Sequence, residues 1–481
     1  MLKISIARFI GTKVIYNIRC LSQDISNNFG NETNNAKYKS ISDCYAGKSI
    51  FVTGGTGFVG KVLIERLLHN CSDIEKIYVL IREKKGQSVD QRLEQMLDIP
   101  LFEKLKDVNP SALSKLVAIG GDVSKKELAI KPEDEQKIID NVSIVFHSAA
   151  NVKFSDSLHS FMNVNYEGTK RVVKLSKKIK KLETFLYFST AFCNADKSLI
   201  DEVIYPRTHD ENEVYNFLDT FGDNPKDIDR ILAGQPNRYT LSKSIVESFL
   251  QDEHKPLSTV IVRPAIVTPM YKEPLPGWVD SWVAATGLNS DIARGLTKVF
   301  YSEKNILCDM IPVDYVANLA IVAAARGNKT NNILIYNSCT STANPITWKM
   351  SADLYVEESR KYSTNEGVPK KAIMSTSPAV VDFLTFTLQT VPAFLTDLWL
   401  RVKGEQPKHL NLQKRSVLLR DILKVFSSSQ LHIKCDKASE LISTMDEKDK
   451  ILFPCDPKTI IWRKYFRVFY RGVNNYMLKN K

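Results

Sequence analysis

Ser49-Ile50-Phe51-Val52-Thr53-Gly54-Gly55-Thr56-Gly57-Phe58-Val59-Gly60 sets a β-rich run against a glycine triplet, and Val59, Leu63 and Leu67 then recur at helical spacing. The triplet Gly54-x-x-Gly57-x-x-Gly60 therefore stands between a predicted strand and a predicted helix. In that place each glycine has its own task. Gly54 allows the tight turn, Gly57 lets the backbone approach a pyrophosphate at the positive helix end, and Gly60 allows helix and strand to pack closely. Thr53, Gly54, Gly55, Thr56, Gly57, Phe58, Val59 and Gly60 form the predicted phosphate-binding loop. A glycine triplet alone is a weak signal, because turns use glycine for steric reasons; the strand-turn-helix context decides it.

Working outward, short β-rich runs alternate with helix-period segments: IFVT, VLIERLL, IYVLI, LVAI, SIVFHSA, TFLYFST and TVIVRP. Strand and helix taking turns implies an α/β fold, a Rossmann-like doubly wound parallel sheet, followed here by a mainly helical C-terminal domain. The second strand ends in Arg82, where many NAD-binding chains present an acid to the ribose. With Lys84 or Lys85 behind it, Arg82 suits a 2′-phosphate and so points to NADPH, although Glu83 stands beside it. Asp122-Val123 after the third strand and Ala149 after the fourth fall where such a sheet places further cofactor contacts. His147 reads equally well as a satisfied core histidine and is assigned no chemistry.

Tyr239 and Lys243 stand four apart and share one face of a predicted helix. An ammonium beside a phenol favours the phenolate, so Lys243 is expected to lower the Tyr239 pKa and bring proton transfer toward working pH. The fifth strand ends in Phe188-Ser189-Thr190-Ala191, and either hydroxyl can donate to an oxyanion on a substrate. Tyr239, Lys243, Thr190 and Ser189 are the predicted catalytic group. Cys193 lies three residues on, but no histidine neighbours it in sequence and packing is the simpler reading.

At 481 residues the chain exceeds one ordinary core. Its 43 % hydrophobic and 25 % charged residues exclude wholesale disorder and a polytopic membrane protein. The eight cysteines stand singly without a Cys-x-x-Cys pair, which fits a reducing compartment. The seven histidines show no ligand spacing, so no metal is expected. The net charge of +12 suits a polyanionic ligand or an anionic membrane, while nucleic acid has no recognition motif in its favour.

Lys3, Arg8, Lys13 and Arg19 lie among apolar residues ahead of the first acid, Asp24. The segment reads as a mitochondrial presequence or as a basic amphipathic helix. Phe383 to Thr396 is strongly apolar but shorter than the roughly 20 residues of a spanning helix. It is expected to dip into a membrane, to wall an apolar tunnel, or to be a buried helix. Ile460 to Arg471 interleaves aromatics with Arg463, Lys464, Arg467 and Arg471, as an interfacial helix would, or a surface helix packed on the core. The predicted divisions are a basic extension and linker over 1–46, an NADP-binding Rossmann domain over 47–350 and a C-terminal domain over 351–481.

The glycine loop, Ser189-Thr190 and Tyr239 with Lys243 together resemble an extended short-chain dehydrogenase/reductase. Glu273-Pro274-Leu275-Pro276-Gly277-Trp278, Ile311-Pro312-Val313-Asp314, Tyr336-Asn337 and Asn344-Pro345-Ile346-Thr347-Trp348 resemble the fatty acyl-CoA reductases in particular. So do Phe453-Pro454-Cys455-Asp456, Ile461-Trp462 and Tyr465 through Lys479, extending the likeness over about residues 45 to 480. The resemblance implies reduction of a long-chain acyl-CoA by two NADPH to a primary alcohol, with Tyr239 and Thr190 on the oxyanion and Lys243 on the cofactor ribose. It also implies membrane attachment at the endoplasmic reticulum or peroxisome with the catalytic domain in the cytosol, against the mitochondrial alternative, and leaves room for a homodimer. The rival readings are a reductase of sterols or small carbonyls, and a non-catalytic nucleotide or lipid sensor.

Overall fold

Seven parallel strands form the central sheet: β1 Ser49–Thr53, β2 Lys76–Ile81, β3 Leu116–Gly120, β4 Val142–His147, β5 Thr184–Phe188, β6 Thr259–Pro264 and β7 Leu334–Ser338. They lie in the order β7-β6-β5-β4-β1-β2-β3. β1, β4, β5 and β6 are buried along their whole length, which is why they read as unbroken apolar runs: a parallel sheet is covered on both faces. The chain order reverses between β1 and β4, and a crevice opens beyond their carboxyl ends. The computed structural model describes residues 38–478 apart from 85, 207–208, 225, 233, 283, 328–331 and 363–370. The basic segment 1–23 and Lys85 lie outside the described residues.

The helices that matter here are α1 Phe58–Asn70, α2 Arg238–Glu253, α3 Val313–Arg326, α4 Trp348–Tyr362, α5 Pro378–Val402, α6 His409–Ser428 and α7 Trp462–Gly472. Ser40–Lys481 is one compact unit. Ile41 and Tyr45 are fully buried, with the Tyr45 hydroxyl donating to the carbonyl of Ile321 at 2.7 Å.

Residues beyond 350 are threaded through the same unit. His432–Ile433 pairs with Leu199–Ile200, and Ile373–Ser375 with Val299–Tyr301. Several segments quoted above form a clamp between sheet and C-terminus. Asn344 donates from Nδ2 to the carbonyls of Pro457 and Ile460 and accepts from the Trp462 indole. Asp314 accepts from the backbone N–H groups of Tyr271 and Lys272. Gly277, at φ +83°, presses on Gly472 so closely that neither could carry a side chain unmoved.

Two C-terminal expectations change. α5 runs for 25 residues, well past Phe383–Thr396, and is the one helix among the described residues long and apolar enough to cross a membrane. It is not a buried helix: Phe383, Phe386, Phe394, Leu395 and Trp399 are each more than half exposed. The Ile460–Arg471 segment is not an interfacial anchor. Tyr465, Phe466 and Phe469 of α7 are fully buried, and Arg463 and Arg467 face Glu357 and Glu358 on α4. Aromatics packed inward with cations kept at the rim make it a core-packed helix.

Candidate active site

A cavity of about 460 Å³ opens at the crevice, lined by Gly54, Thr56 and Gly57 of the glycine loop, Arg82 and Arg92, Val123, and residues 148–153 after β4. Gly54 takes φ +74°, and a Cβ there would stand 2.5 Å from the Ala149 nitrogen. A Cβ on Gly60 would strike the Gly54 carbonyl. Gly57 is exposed and caps α1 without a side-chain bond, so the first N–H groups of that helix face outward. A narrow turn, a helix end and two guanidinium groups suit the phosphates of a dinucleotide. Phe58 and Val59 open the helix, half-buried, whereas Gly55 and Gly60 are buried beneath the loop.

Thr53 serves the turn from below. The Ala149 N–H donates to Thr53 Oγ1 (3.3 Å), the Thr53 hydroxyl meets His147 Nδ1 (2.6 Å), His147 Nε2 meets Thr169 Oγ1 (2.9 Å), and the Thr169 hydroxyl donates to the Asn165 carbonyl (2.6 Å). With the last donor committed, the chain closes only if His147 is neutral with its proton on Nε2. Burial, aided by the charge of Lys243, pushes the His147 pKa down to about 3. The histidine is structural.

Arg82 lies 4.0 Å from Asp122 and is mostly exposed. Asp122 spends its other oxygen on the backbone N–H and hydroxyl of Ser124, and so fastens the turn after β3. Arg92, which the sequence reading passed over, donates to the Arg82 carbonyl and brings a second guanidinium to the same edge. Partial burial and the charge of Arg82 hold its pKa below the ordinary arginine value. No periodicity marks Arg92, since it comes from a short helix whose placement depends on β3.

Tyr239 opens α2, whose N-terminus is set by Asn237: its side chain accepts from the Thr240 N–H, and the Thr240 hydroxyl accepts from the Asn237 N–H. Phe154 and Phe161 flank the phenol with ring centroids 5.8 and 6.3 Å away. Lys243 is almost fully buried, donates to the Phe188 carbonyl at 2.7 Å, and stands 4.5 Å over the Tyr187 ring and 6.0 Å from that of Tyr239. The expected lowering of Tyr239 by Lys243 is not found. Burial, with the Cys193 thiol, raises the phenol above its usual value, against a side-chain hydrogen bond with Thr190. Burial also brings Lys243 down to about 7, opposed by Glu247 and Cys193. The phenol is thereby kept protonated.

The Thr190 oxygen accepts from the Phe192 N–H at 3.3 Å, leaving its proton for Tyr239 or a substrate oxygen. Ser189 is buried and turned toward Cys193. Cys193 is fully buried, and burial together with Glu247 pushes its thiol well above the usual range, the opposite of what a nucleophile needs. Asn165, also missed from sequence, donates to the Ser242 hydroxyl (2.9 Å) and accepts from the Asn151 N–H (2.7 Å), tying the cavity wall to α2. It sits in a π-helical turn, Met162–Glu167, a local widening that no spacing rule reveals. Among the described residues no group of acids, cysteines and histidines could hold a metal ion.

The fold recurs in two reductase structures at low identity. The terminal R domain of the myxalamid PKS-NRPS pathway has a TM-score of 0.58 at 18 % identity over 90 % of this chain and 92 % of that one. The R domain of a nonribosomal peptide synthetase from Mycobacterium tuberculosis has 0.59 at 17 % over 92 % and 96 %. Family models described as male sterility protein match residues 52–320 and 388–480. Fatty acyl-CoA reductase 1 of Rattus norvegicus is 33 % identical over 92 % of this chain and 87 % of its own length. The Drosophila melanogaster fatty acyl-CoA reductase wat is 32 % identical over 91 % and 85 %. With that extent of likeness laid over the glycine loop and the Tyr239–Lys243 pair alike, the chain belongs to the fatty acyl-CoA reductase family.

Proposed function

We propose that this reductase uses NADPH to convert long-chain acyl-CoA to the primary alcohol, releasing CoA, with Tyr239, Thr190 and Lys243 as its catalytic residues. The observation that carries the reading is the meeting of those three side chains after β5 and on α2, in a sheet whose β1 and β4 ends carry the glycine-loop cavity. A nicotinamide cofactor, when bound, supplies the hydride for each of the two reductions. The chain's own work is to manage the oxygen. As the thioester carbonyl is reduced, charge gathers on its oxygen, and the Thr190 hydroxyl and Tyr239 phenol are placed to donate to it. Collapse of the hemithioacetal expels the CoA thiolate and leaves an aldehyde. In the second reduction Tyr239 passes its proton to the alkoxide and is reprotonated from solvent. Lys243, anchored on Phe188, supplies a positive charge beside that exchange.

Arg82 and Arg92 support NADPH over NADH, because two guanidinium groups at one edge match a phosphomonoester. Tyr239→Phe should lower acyl-CoA-dependent NADPH oxidation by about a hundredfold or more while NADPH still binds. Near-wild-type turnover would remove Tyr239 from the chemistry. Arg82→Ala and Arg92→Ala should each weaken NADPH by about tenfold and leave NADH nearly unchanged; equal losses would show that the pair reads something other than the 2′-phosphate.

The outer face of α5 supports attachment to a membrane surface. Two of its polar side chains turn inward: Gln389 accepts from the N–H groups of Lys298 and Val299, and Asp397 from those of Lys408, His409 and Leu410. Its apolar side faces out, with Lys403 3.6 Å from the Trp399 ring, a pairing suited to headgroup depth. A helix bonded to the body along one side lies in the interface plane. Co-sedimentation with vesicles containing anionic lipid tests this, and full recovery in the supernatant would refute it.

A further inference from the structure

Below the Tyr239–Lys243 pair lies a buried ion pair that the mechanism above does not use. Tyr239, Lys243 and Glu247 recur every four residues along α2, so one helix face carries phenol, ammonium and carboxylate in succession. Arg263 on β6 grips the carboxylate twice, Nε to Oε1 at 2.9 Å and Nη2 to Oε2 at 2.5 Å, and spends its other N–H groups on the carbonyls of Asp201 and Val203. Both side chains are nearly inaccessible, at 0 % and 3 % exposure. Glu247 also accepts from the Cys193 thiol at 3.3 Å, and Cys193 closes the turn that begins at Thr190, its N–H donating to the Thr190 carbonyl. A carboxylate this deep is costly unless every partner is present.

We propose that Glu247 is a positioning residue for the reductase site: fixed by Arg263, its carboxylate holds the Thr190–Cys193 turn through the thiol and sustains the positive charge of Lys243 beside Tyr239. The proposal rests on the catalytic roles given above to Tyr239, Thr190 and Lys243. The groups facing Lys243 are Tyr239 and Glu247 on its own helix, Tyr187 and the Phe188 carbonyl on β5, Cys193 on the turn, and His147 on β4. His147 is neutral, both tyrosines are held protonated and Cys193 is a thiol. Glu247 is therefore the one anion of this set, opposing the burial that would strip Lys243 of its proton. Cys193 becomes a strut between ion pair and catalytic turn, with its proton used in the strut.

The test is the pH dependence of acyl-CoA-dependent NADPH oxidation. Removing the carboxylate makes the ammonium harder to keep, so in Glu247→Gln the alkaline limb of kcat/KM moves toward acid by about one pH unit. NADPH binding at pH 6, followed by fluorescence, should stay within about twofold. An unmoved limb in folded protein overturns the proposal. If Glu247→Gln fails to fold because Arg263 is left charged and unpaired, the double variant Glu247→Gln/Arg263→Gln removes both charges and must show the same acidward shift. An unmoved limb there also overturns it. Tyr239→Phe run alongside separates the two ideas: an active Tyr239→Phe defeats the catalytic reading, whereas an inactive one with a wild-type limb in the Glu247 variants defeats only the positioning role.

Discussion

α5 and α7 are both rich in aromatic and aliphatic side chains, yet they turn them opposite ways. α7 turns Tyr465, Phe466 and Phe469 into the core, where the Tyr465 hydroxyl donates to Thr268 Oγ1 and the Pro269 carbonyl. It leaves Arg463, Arg467 and Arg471 to Glu357, Glu358 and the Tyr362 hydroxyl at the rim. α5 does the reverse, sending Gln389 and Asp397 inward to backbone N–H groups and its phenylalanines outward. Periodicity finds an amphipathic helix. Which face meets water depends on what the neighbouring segments leave unsatisfied. The strand at Lys298–Val299 and the start of α6 each present free N–H groups, and only a polar side chain can meet them.

Four variants would break or sharpen that contrast. Phe469→Ala empties a fully buried ring site on α7 and should cost about 3–5 kcal/mol in urea unfolding; a cost below 1 kcal/mol would mean α7 is not core. Gln389→Ala strips two buried backbone donors of their acceptor and should cost about 1–3 kcal/mol. Stability unchanged there would show that α5 is not fastened by its polar side. Arg463→Ala cuts an exposed ion pair with Glu357, for which a change within about 0.5 kcal/mol is expected. Least of all, replacing Phe383, Phe386 and Trp399 together by serine should leave the unfolding midpoint nearly where it was while vesicle co-sedimentation is lost. A large fall in stability from that triple change would place those rings in a packed interface.

The strands, the glycine loop and the Tyr239–Lys243 spacing could be read directly because each rests on near neighbours in the chain. A β-rich run, a turn that demands φ > 0 at Gly54 and two side chains one helical turn apart are local facts. The sense of the Tyr239 shift was not legible, because burial by Phe154 and Phe161, from another helix and loop, outweighs a lysine four residues away. Arg92, Asn165 and the Glu247–Arg263 pair depend on partners between 10 and 77 residues distant or on a π-helical turn. The amino-acid sequence by itself determined the parallel nucleotide-binding sheet and its reductase chemistry. Only the tertiary structure decided the burial that sets the site's protonation and which face of α5 or α7 turns outward, since both are properties of what lies across space from a residue.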